Sequence, residues 1–159
     1  MKFAPLGLLV ALALVGCQEK SAVPAEANPD AKPGLTLSDG QLTMPAVTGN
    51  PGAAYFTLSN DGSEPVTLAA VSIAGAQKAE MHETSGGSMA PLAAVTLKGG
   101  EAVKFVRGGK HVMVFGLDAS VTPGSKPEMT LTFADGDKLS ASLEVLTPGQ
   151  MPTDHGESH

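Results

Sequence analysis

Apolar and polar residues alternate along most of this chain in short runs, and the runs are cut by Gly, Asn, Asp and Pro rather than spaced three to four apart as on a helix. In Met129-Thr130-Leu131-Thr132-Phe133 the apolar side chains share one face of an extended segment. Ala134-Asp135-Gly136-Asp137 then supplies turn chemistry, and Leu139, Ala141, Leu143 and Val145 resume the alternation. This pattern predicts a hairpin near the end of the chain. Comparable runs predict strands over Leu35–Leu37, Gln41–Met44, Ala53–Leu58, Pro65–Ile73, Gln77–His82, Ala94–Leu97, Ala102–Val106, His111–Leu117, Glu128–Phe133 and Lys138–Leu146. Turn signals at Asn60-Asp61-Gly62, Lys98-Gly99-Gly100, Arg107-Gly108-Gly109 and Pro123-Gly124 punctuate them at the spacing of a β-sandwich. The fold class expected is all-β, a single Ig-like sandwich or barrel with flexible tails at both ends. Its core is expected to consist of Leu, Val and Ala with Phe56, Phe105, Phe115 and Phe133.

The ends of the chain break the pattern. Met1-Lys2, the apolar run Leu6–Val15 and the small residue Gly16 have the form of an export signal, and the run is too short to span a bilayer. Residues 1–16 are therefore expected to be removed. Cys17, the one cysteine present, directly follows Leu-Val-Gly and resembles the acylated cysteine of a bacterial lipobox. Residues 17–33, rich in Pro, Ala and charge, read as a flexible tether; 34–147 as the folded domain; and 148–159 as a flexible tail. The expected location is outside the cytoplasm, in the periplasm or extracytoplasmic space, with a lipid anchor in the membrane. The formal charge of −6 becomes −7 once Lys2 leaves with the signal, which excludes a nucleic-acid binder and disfavours tight association with an anionic membrane surface beyond the lipid anchor. Without a second cysteine no disulfide within the chain can form, so packing must hold the domain together.

The chemistry concentrates in one strand. In His111-Val112-Met113, the imidazole and the thioether are two residues apart and project from the same face of an extended chain, where both can close on one soft metal ion. Phe115 shares that face, and Val112 and Val114 the other. Upstream, Met81 and His82 are adjacent, so only one can face the same way. His82 is taken as the ligand and Met81 as core or as a residue behind the ligands. Met89 follows the loop Glu83–Ser88, whose glycines would let its thioether fold back. His82, Met89, His111 and Met113 then give two imidazoles and two thioethers. Thioethers are soft, uncharged donors that favour Cu(I), and without a thiolate a blue-copper centre cannot be built. Glu80, Glu83 and Glu101 are acidic residues that could offset the ion's charge. Met44 and Met129 read as core. No nucleophile, base and orienting group occur together, so no catalysis is expected.

The string Gly108-Gly109-Lys110-His111-Val112-Met113, with Met81-His82-Glu83 upstream and Ala53–Asn60 as an early strand, resembles the periplasmic copper chaperones of the PCuAC type. Twenty-one residues separate Met89 from His111, as in that family, but only six separate His82 from Met89, fewer than the family has. The resemblance implies a cupredoxin-like β domain. It also implies Cu(I) carriage toward the CuA centre of cytochrome c oxidase, with oxidase subunit II or a Sco-type protein as acceptor and a monomeric carrier. Two other readings remain open: an envelope copper buffer or tolerance protein using the same site, and a metal-free scaffolding lipoprotein. In the tail, Met151, His155 and His159 are potential accessory donors, suited through their imidazoles to Cu(II).

Overall fold

Every regular element is a strand in residues 32–150, the part of the chain that the computed structural model describes. The strands are β1 Leu35–Thr43, β2 Gly52–Asn60, β3 Val66–Ile73, β4 Ala76–Ser85, β5 Ser88–Pro91, β6 Val95–Leu97, β7 Ala102–Phe105, β8 Lys110–Leu117, β9 Glu128–Phe133, β10 Lys138–Ser142 and β11 Glu144–Leu146. They form two sheets. One runs β11-β1-β2-β8-β4-β5, with β7 also paired to β2; the other runs β10-β9-β3-β6. The expected all-β sandwich is therefore present.

Alternation explains the packing. On β2 the even-numbered Ala54, Phe56 and Leu58 are buried, as are Val112 and Val114 on β8, while β9 contributes Met129, Leu131 and Phe133 from the facing sheet. Phe56 and Phe105 pair across β2 and β7 and stack with ring centroids 4.3 Å apart. Met129 is fully buried and Met44 packs against the core, as their sequence context implies. The hairpin of β9 and β10 is in place, Met129 opposite Ala141 and Leu131 opposite Leu139.

Four details differ from the sequence reading. Leu35–Leu37 and Gln41–Met44 fuse into one strand, because Asp39 takes a left-handed φ of 56° and the pairing with β2 shifts between Ser38 and Gln41. This bulge bends β1 without ending it. Lys138–Leu146 divides at Leu143, so that β10 pairs with β9 while β11 pairs in parallel with β1. Phe115 is not in the core: it shares the outward parity of His111 and lies only partly buried, with the Lys78 ammonium 5.9 Å from its ring centroid. Glu83–Ser88 is not a loop either. Pairing of β4 with β5 continues to Ser85 opposite Ser88, leaving Gly86-Gly87 as a two-residue turn. Both glycines have positive φ, 58° and 83°, the left-handed conformation that the tightest hairpins require.

The expected signal segment, Cys17 and all but the end of the tether lie outside the described residues, as do Met151, His155 and His159.

Candidate metal centre

Strand pairing assembles the candidate site. In the antiparallel register of β4 with β8, His82 lies directly opposite His111, and Glu80 directly opposite Met113. The intervening rung, Met81 opposite Val112, points the other way into the core. Pairing of β4 with β5 sets Met89 opposite Thr84. Side chains two apart share a face, so His82, His111, Met89 and Met113 all stand on the outer face of the larger sheet. The imidazole pair occupies the middle rung. Met89 flanks it on the side of the β4–β5 turn, and Met113 flanks it on the other.

The two imidazoles are held differently. Their ring centroids are 6.1 Å apart with planes at 31°. Nδ1 of His111 is 2.9 Å from the carbonyl oxygen of Gly109. A carbonyl only accepts, so Nδ1 donates, and in the neutral ring the lone pair is left on Nε2. That nitrogen lies 3.3 Å from Sδ of Met89. A thioether sulfur carries no proton, so two electron-pair donors face each other there. Donors bonded to one ion at about 2.0 Å and 2.3 Å, with a near-tetrahedral angle, stand roughly 3.3–3.5 Å apart. The observed separation suits a shared soft ion.

His82 is 15% exposed in its side chain, yet neither buried ring nitrogen has a partner at hydrogen-bond distance. The Glu80 carboxylate lies 3.7 Å from Nε2. Leaving such atoms unpaired costs about 1–3 kcal/mol each in a folded protein, and a native site of that kind calls for an explanation such as an ion. His111 is 7% exposed, whereas Met89 is 53% exposed and forms the outer lip. Met113, half-buried, lies against β2 opposite Ala53.

The acidic neighbours separate into distinct roles. Glu80 pairs with Lys78 at 2.6 Å, and the Lys78 hydrogen bond, with a smaller contribution from His82, holds its carboxyl below the usual range. Glu83 pairs with Lys110 at 2.7 Å on the adjoining rung. Glu101 accepts the backbone amide of Lys98 and sits beside Asn60, at the opposite end of β2 from Ala53. It is therefore remote from the imidazoles, and the charge compensation expected of it does not apply. Among the described residues no three His, Cys, Asp or Glu side chains converge as a metal site, so an ion here would depend on the thioethers.

Met81, expected in the core or behind the ligands, is 5% exposed and packs in the core on the opposite side of the sheet. One participant escaped the sequence reading, the carbonyl of Gly109. It also accepts the amide of Thr84, tying the β7–β8 turn to β4. A backbone oxygen leaves no signature in residue type; only its place in a turn two residues before His111 hints at it.

The family described as "Putative lipoprotein LpqE-like" matches residues 35–145. "Putative lipoprotein Lxx21020" of Leifsonia xyli subsp. xyli is 26% identical over 141 residues, 86% of this chain and 84% of that protein. Among solved structures, the copper-bound PCuAC domain from PmoF2 superposes with a TM-score of 0.64 at 22% identity, covering 74% of this chain and 97% of that domain. Cu(I)-DR1885 from Deinococcus radiodurans gives a TM-score of 0.56 at 23% identity, covering 82% and 87%. The fold is thus the cupredoxin-like sandwich of PCuAC domains.

Proposed function

The chain belongs to the LpqE-like family, and from that premise we propose that it is an exported, lipid-anchored carrier of Cu(I) that holds the ion through His82, Met89, His111 and Met113. The observation that carries this reading is the approach of Nε2 of His111 to Sδ of Met89 at 3.3 Å, with the proton of that imidazole committed to Gly109. Facing donors without a proton between them are what a bound cation reconciles, and two thioethers among four uncharged ligands favour monovalent copper. The copper-bound PCuAC domain from PmoF2 and Cu(I)-DR1885 share the fold, which supports the same cargo here.

Placement suits transfer rather than storage. The donors stand on an outer sheet face, and Met89 is exposed, so the ligands of an acceptor can approach the ion from the Met89 side before the imidazoles let go. We take the acceptor to be the CuA site of cytochrome c oxidase subunit II, directly or through a Sco-type protein. Cys17 would carry the anchor and residues 17–33 the tether, with Met151, His155 and His159 as an accessory arm that captures copper for the folded site.

Anaerobic titration of the full chain against a competing Cu(I) chelator tests the site. One ion per chain is expected, with binding lost in the His111→Ala, Met113→Ala double variant; binding unchanged in that variant overturns the assignment. Deleting the gene should impair oxidase assembly when copper is scarce. Increased copper sensitivity with normal oxidase would instead identify a buffer.

A further inference from the structure

The methionines of the folded domain differ sharply in accessibility. Met129 is fully buried, Met81 is 5% exposed, and Met44 and Met113 are half-buried, but Met89 is 53% exposed at the outer lip of the imidazole pair. It stands on β5, an edge strand of the larger sheet and a strand exposed at all four positions. The sulfur that contacts His111 is therefore on the methionine side chain that a small oxidant in the surrounding medium meets first. Susceptibility of thioethers to oxidation follows exposure, and the product is restored by methionine sulfoxide reductases.

We propose that Met89 is a reversible oxidation site through which peroxide lowers the affinity of the metal-free chain for Cu(I). The inference rests on the Cu(I) reading above and deepens it by giving the site a regulator. In the metal-free chain, the lone pair of Sδ attacks one oxygen of hydrogen peroxide. The S–O bond forms as the O–O bond breaks, and water leaves after a proton shift. Sulfur is oxidised by two electrons and the peroxide is reduced by two. The sulfoxide presents a hard oxygen where a soft sulfur stood, so the site loses a donor that selected Cu(I). The oxygen is also an acceptor only. Against Nε2 of His111, whose ring proton is held on Nδ1 by Gly109, it meets a second acceptor and is turned away from the site.

The test treats the metal-free full chain with hydrogen peroxide, follows each methionine by peptide mass mapping, and measures Cu(I) affinity by chelator competition. Within the domain, Met89 should gain one oxygen before Met44, Met81, Met113 and Met129. Affinity should fall by about tenfold or more in step with that gain, and treatment with methionine sulfoxide reductases and a thiol reductant should restore it. A Met89→Leu chain should start weaker and show no early fall in affinity on exposure to peroxide. Earlier oxidation of Met113, or unchanged Cu(I) affinity after complete Met89 oxidation, overturns the proposal. Failure of the untreated chain to bind Cu(I) would instead overturn the carrier reading itself, so the two failures are separable.

Discussion

His82 and His111 face each other across β4 and β8 with ring centroids 6.1 Å apart, yet only His111 is tied down, by its bond to the Gly109 carbonyl. Neither nitrogen of His82 has a hydrogen bond. Replacing an imidazole whose buried ring nitrogens make no hydrogen bond with an apolar ring removes a desolvation penalty, so His82→Phe should leave the metal-free domain as stable or more stable by about 1 kcal/mol while lowering Cu(I) affinity. Urea denaturation together with chelator competition measures both. A stability loss of several kcal/mol in the metal-free form would show that His82 is structural.

Met81 should behave in the opposite way. It is 5% exposed in the core, on the far side of the sheet from the imidazoles. Met81→Ala is expected to cost about 2–5 kcal/mol and to leave the copper stoichiometry of the folded fraction unchanged. Loss of binding without loss of stability would place Met81 in the site.

The position of Met89 depends on the turn that folds β5 back on β4. Gly87, at φ 83°, has no atoms within 4 Å of the place a Cβ would occupy, so strain there is purely conformational. Gly87→Ala should cost about 1–2 kcal/mol, felt mainly in this edge hairpin. Cu(I) affinity should drop while the midpoint of global unfolding shifts little. Unaltered affinity would mean that the hairpin does not position the thioether.

Asp118, in the turn after β8, accepts hydrogen bonds from the hydroxyl and amide of Ser120, and these hold its carboxyl below the usual value. A carboxylate whose pKa is lower folded than unfolded contributes stability in full above the ordinary value, about pH 4. The contribution fades as pH falls through that value to the lowered one. Ser120→Ala removes the hydroxyl that contributes most, so its urea midpoint should fall less steeply than the parent's on acidification below about pH 4. Parallel curves would remove Asp118 from the acid response.

Much of this protein follows from one-dimensional information. Period-two alternation carries which face of β2, β8 and β9 is buried, because the pleat converts parity into side. The same parity puts His111 and Met113 on one face and, by exclusion, sends either Met81 or His82 to it. Donor chemistry carries the preference for a soft ion. None of that depends on which strands are neighbours.

Pairing is where tertiary structure decides. The placing of His82 opposite His111 depends on register between segments nearly thirty residues apart, and a slip of one residue would have brought Met81 to the site instead. The short connection to Met89 departs from the chaperone pattern in sequence, but backbone pairing extends β4 to Ser85 and Gly86-Gly87 closes the turn. Those contacts bring the sulfur to 3.3 Å of Nε2 of His111. Phe115 and Glu101 show the converse. A large aromatic is expected inside until parity places it outside, and an acidic residue close in sequence to His111 proves to be at the far end of β2. Residue type and spacing determined what chemistry was available; long-range hydrogen bonding between strands determined which groups meet, because contact depends on register and not on proximity along the chain.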